Sequence, residues 1–175
     1  MKQMIPKEVV QLLSIVGFYL DNPKALERDC PGSNLWKAYV EKDLTPKNSR
    51  RLSPVECAKA RELGVQHPER VILCDYASVM SVLPGHPENK VVQMLNICAE
   101  LLAEGITVGY TIGIRNYETP NKSHLGHELV HVKQYEQLDD FSAYMKAYIS
   151  LFPGADLLSY MKHPMELEAY KAMQS

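Results

Sequence analysis

The chain has 175 residues, 46% of them hydrophobic and 23% charged, with a formal net charge of −2 and a sequence pI near 6.3. That length and mix predict a single domain, 1–175, able to bury a sizeable core. The charge balance excludes the basic surface that nucleic acid or an anionic membrane would need, and no stretch is long and apolar enough to span a bilayer.

Pro6 to Leu20 predicts a helix, with Val9, Leu12, Leu13, Val16 and Leu20 at helical spacing and Asp21-Asn22-Pro23 ending it. Its apolar part is not read as a secretory signal, because Glu8, Gln11 and Ser14 interrupt it and no small-x-small cleavage site follows. The stretch to Ser53 is weakly patterned, with Pro23, Pro31-Gly32 and Pro46 and one short helix expected around Trp36 to Lys42. Residues 1–53 are therefore read as an N-terminal helical wrap. Cys30, Cys57, Cys74 and Cys98 are far apart and form no C-x-x-C pair, which predicts reduced thiols and a cytoplasmic protein.

Ser53-Pro54-Val55-Glu56 predicts a strong helix start: Ser53 caps, Pro54 suits the first position and Glu56 completes a capping box. Gly64 ends that helix. Val71 to Tyr76 reads as a strand, and Leu83 to Pro87 as a turn. Asn89 to Glu104 reads as a helix with Val92, Leu95, Ala99 and Leu102 on one side. Ile106 to Arg115 reads as one strand. Ile106, Val108, Tyr110, Ile112 and Ile114 would face helices, and the slim opposite face, with Gly109 and Gly113, would leave room for another chain, a bulge or a strong twist.

Thr119 to Ser123 supplies caps for a helix from about Ser123 to Gln137, whose back carries Leu125, Leu129 and Val132. Asp139-Asp140 caps a helix from Phe141 to Leu151, Asp156 to Lys162 suggests another turn or two, and His163-Pro164 starts a last helix, Met165 to Met173.

The front of the central helix carries His127-Glu128-Leu129-Val130-His131. Side chains four apart stand one above the other on a helix, so both imidazoles reach one ion. Neutral imidazole is a good zinc ligand, and zinc brings the pKa of a bound water to about 7. A neighbouring carboxylate, here Glu128, is then placed to take a proton from that water as general base. His124 reads as a rim residue, and His67 and His86, each before a proline, as solvated. A catalytic zinc site needs a third protein ligand. Glu166, Glu168 and His163 are the candidates, with Glu166 thirty-five residues beyond His131, far enough for one or two helices to bring the chain back. Tyr117, Tyr135, Tyr148 and Tyr160 each offer a phenol to a developing oxyanion.

His127-Glu128-Leu129-Val130-His131 followed by Glu166-Leu167-Glu168-Ala169 resembles a gluzincin-type metallopeptidase, and Leu125 to Tyr135 is similar to the small soluble bacterial zincins. The resemblance covers roughly residues 105–175. It implies a minimal α+β zincin-like fold, several helices packed on a small sheet, with the metal site between two helices. It implies His127, His131 and Glu166 as ligands of Zn2+, Glu128 as the base, a peptide or protein substrate, and Ile106 to Arg115 as the edge strand on which that substrate lies. One departure stands out: Tyr170 follows Ala169 where many of these enzymes carry an aspartate that orients a ligand histidine. The expected function is zinc-dependent hydrolysis of peptide or amide bonds. The alternatives are a non-catalytic, metal-stabilised interaction module and an effector-like protease exported without a signal peptide.

Overall fold

A computed structural model of the protein describes residues 7–29, 48–75, 105–138, 140–154 and 162–174, together with Lys90, Gln93, Met94 and Ile97. The predicted helix at Trp36 to Lys42, the turn at Leu83 to Pro87 and the segment Asp156 to Met161 lie outside the described residues. So do Val92, Leu95, Ala99 and Leu102, while Met94 and Ile97 of the same predicted helix are helical and buried.

Two helices open the chain, α1 (Lys7–Asp21) and α2 (Pro23–Asp29), with Pro23 at the first position of the second. Sequence reading left the start of that stretch unpatterned, because α2 is only seven residues long. Strand β1 (Ser49–Arg51) precedes α3 (Pro54–Glu62), whose capping box forms as expected: Glu56 N–H donates to Ser53 Oγ, and Ser53 N–H to Glu56 Oε2. Gly64 ends it with φ +96°, a value that favours glycine. Strand β2 (Ile72–Cys74) follows, then β3 (Gly105–Val108), β4 (Thr111–Ile114), α4 (Lys122–Leu138), α5 (Phe141–Ser150) and α6 (Pro164–Ala172). Six helices and one mixed sheet of order β1-β2-β4-β3 make the described residues an α+β fold.

The predicted single strand Ile106 to Arg115 is instead a hairpin. Val108 pairs with Thr111 across Gly109-Tyr110, and Gly109 alone of the two has positive φ, +62°, as in a type II′ turn. The turn reverses the faces. Cross-strand partners have opposite parity: Ile106 faces Gly113, and Thr107 faces Ile112. One unbroken apolar alternation thereby serves two cores. Ile106 and Val108 join Cys74, residues of α1 and residues of α5. Ile112 and Ile114 join Leu73 and the Leu125, Leu129 and Val132 side of α4. The edges among the described residues are β1 and β3, and β4 lies inside the sheet between β2 and β3.

Helix α4 packs on β3, α3, α5 and α6. Its start is fixed by Asn121, whose Oδ1 accepts from Ser123 N–H and His124 N–H. Its flank is fixed to the α3 connection by Glu136, which accepts from Gln66 N–H and His67 N–H. Asp140 caps α5 through Ala143 N–H. Of the cysteines, Cys57 and Cys74 are described and free, and burial pushes the Cys74 thiol up to about 12. No helix among the described residues is long and apolar enough to cross a membrane.

Candidate metal centre

Helix α4 presents His127 and His131 one turn apart, and α6 brings Glu166 across to them. His127 Nε2 lies 3.1 Å from His131 Nε2 and 3.3 Å from Glu166 Oε2, and His131 Nε2 lies 3.5 Å from Glu166 Oε1. Zinc bonds of about 2.0–2.1 Å put tetrahedral ligand atoms about 3.3–3.4 Å apart. The donor set and spacing therefore fit a zinc ion. The three residues form the one such group among the described residues, and His124 is outside it.

His131 and Glu166 are buried, and His127 is partly so. Burial disfavours the His131 cation, but the Glu166 carboxylate outweighs it and raises His131 to about 9. Burial also opposes ionisation of Glu166, yet His131, His127 and the Tyr148 hydroxyl hold it well below the usual carboxylate range. Tyr148 Oη donates to Glu166 Oε1 at 2.7 Å. This fixes one of the four phenols named from the sequence as a support for the ligand. Tyr117 and Tyr135 lie elsewhere: the Tyr117 carbonyl accepts from Arg50, and the Tyr135 ring meets Tyr110 edge-on. Tyr160 lies outside the described residues.

The other two third-ligand candidates have different work. Glu168 accepts from Lys133 Nζ at 2.6 Å and from Gln134 Nε2 at 2.8 Å. His163 is fully buried, donates from Nε2 to the Tyr148 carbonyl at 2.7 Å, and packs between the rings of Tyr148 and Phe152. Tyr170, in place of the expected aspartate, makes no hydrogen bond to a ligand and packs its ring 4.8 Å from that of His127.

Glu128 is 6% exposed, on the side of α4 that meets β3. Thr107 Oγ1 lies 2.6 Å from Glu128 Oε2, to which it donates its one hydrogen, and 3.2 Å from the Glu128 backbone oxygen. A Cβ on Gly105 would come within 2.7 Å of Glu128 Oε1. The slim face read from the sequence as room for another chain is, at Gly105 and Thr107, room for this carboxylate. In sequence Glu128 directly follows His127 on α4.

The sequence places Gln134 on the histidine face of the central helix without a role, and it gives Thr107 and Tyr144 no place in the site. Gln134, three residues after His131 on one helix face, was recoverable from spacing. Thr107 was not, since its approach to Glu128 depends on the hairpin. No family model matches the chain, and neither a curated protein nor a solved structure matches it. The gluzincin resemblance rests on the residues alone.

Proposed function

We propose that the protein is a zinc-dependent hydrolase of peptide or amide bonds, with His127, His131 and Glu166 holding the ion and Glu128 acting as general base. A bound zinc supplies Lewis acidity and a water acidified to a pKa of about 7. Glu128 takes a proton from that water and delivers it to the leaving amine nitrogen, and no acyl-enzyme is needed. Thr107 holds the carboxylate through Oε2, and the missing side chain of Gly105 leaves the space in which Oε1 sits. Free thiols at Cys57 and Cys74 support a reducing compartment such as the cytoplasm.

The observation that carries this reading is the buried, hydrogen-bonded Glu128, next in sequence to His127, on the helix that gathers His127 and His131 with Glu166 into one group. A metal that only tied α6 to α4 would need the same ligands but no oriented carboxylate. The test is Glu128→Gln, assayed against a broad peptide library by mass spectrometry with zinc content measured alongside. The expected result is unchanged zinc and a loss of turnover of about 10²–10⁴-fold. Full activity in that variant on a substrate the wild type cleaves would overturn the mechanism.

A further inference from the structure

We propose that Gln134 is a positioning residue that sets the tautomer of His131, and that Glu168 serves the site by holding Gln134 rather than by touching the ion. The proposal rests on the metal-site reading above. A count of donors and acceptors leaves one arrangement. Gln134 Nε2 has two hydrogens and faces two groups that only accept: the Met165 carbonyl at 3.0 Å and Glu168 Oε2 at 2.8 Å. The reversed amide would set its oxygen against both, and Gln134 is 3% exposed, so no bulk water relieves the clash.

Gln134 Oε1 therefore faces His131 Nδ1, 2.9 Å away, and an amide oxygen only accepts. His131 Nδ1 must carry the hydrogen. In the neutral ring that leaves the lone pair on Nε2, the atom that points at His127 Nε2 and Glu166. The Tyr144 hydroxyl lies 3.4 Å from the same Nδ1, a longer contact that leaves this assignment in place. Glu168 is fixed in turn by Lys133 Nζ on its other oxygen. Gln134 and Lys133 come from α4, Met165 and Glu168 from α6, so one network both joins the helices and aims the ligand. It occupies the role that the resemblance assigned to an aspartate at position 170.

The test is zinc affinity by competition with a chromophoric chelator, which needs no substrate. Gln134→Met keeps the length and bulk of the side chain and removes its hydrogen bonds. The expected result is about 10–100-fold weaker zinc binding, with the melting of the metal-free protein followed in parallel. Glu168→Ala is the second variant, because the Glu168 side chain is 45% exposed and its loss spares the core. It should weaken zinc by roughly threefold or more, because one of the two acceptors holding the Gln134 amide is gone. Long-range proton–nitrogen correlation of the zinc-loaded wild type should show His131 protonated at Nδ1. Wild-type affinity in both variants, or His131 bound through Nδ1, would overturn the proposal while leaving the metal site intact. A wild type that takes up no zinc would remove the metal site and this proposal together.

Discussion

His127 and His131 stand one turn apart on α4 and offer the same atom to the same point, yet the fold holds them differently. His131 is 6% exposed and its Nδ1 is bonded to Gln134. His127 is more open, its Nδ1 is buried without a hydrogen-bond partner, and its ring is held by packing against Tyr170 and His131. One ligand is oriented by directional bonds and the other by shape. The difference teaches that equal spacing on a helix does not give equal preparation, because Gln134 of α4 stands behind one ring and Tyr170 of α6 lies against the other.

The sharpest way to break that comparison is to remove each ring from the metal-free protein. His131→Ala takes the main charged partner from the buried Glu166, leaving it His127 and the Tyr148 hydroxyl, and should lower stability by about 3 kcal/mol in denaturant unfolding. His127→Ala leaves the His131–Glu166 pair intact and should cost only about 1–2 kcal/mol. Equal losses would mean that the two rings are held alike.

Gly105→Ala acts on the carboxylate between them. The added Cβ forces Glu128 Oε1 to move, while both histidines stay in place. Zinc content should be unchanged and kcat should fall by about 10–100-fold, the size expected when a reacting group is displaced by about 1 Å. A parallel loss of zinc would show that β3 supports the ligands as well as the base.

The smallest effect is far from the site and serves as a control. Arg50 binds both oxygens of Glu56, and that pair, opposed by burial, lowers Glu56 to about 2 from an ordinary 4.5. A carboxyl depressed in the folded state stabilises above its unfolded pKa, and the contribution is lost as pH falls through the folded value. Glu56→Gln should therefore lower stability by roughly 1–2 kcal/mol at pH 6, allowing for solvent at this half-buried pair. The difference from wild type should shrink between pH 4.5 and 2. Zinc affinity should be unchanged.

Much of this was legible in the sequence because it is local. Ser53 and Glu56 announce their helix, Leu125, Leu129 and Val132 define the back of α4, and His127 and His131 define its front. Glu166 was one of three candidates by position, and only the resemblance to a known ligand pattern chose it over Glu168 and His163. The hairpin was hidden because a two-residue turn leaves alternation unbroken while it exchanges the faces, so Gly109 looked like a strand residue. Thr107 was hidden with it. The partner of His131 was left unassigned, because Tyr170 breaks the family pattern and α4 itself supplies Gln134.

The most direct test of the central claim is the metal content of the purified protein, measured by plasma mass spectrometry for wild type and Glu166→Ala. The expected result is close to one zinc per wild-type chain and a loss of nearly all of it in the variant. A variant that keeps a full complement of zinc, or a wild type that binds none when zinc is supplied, would contradict the account.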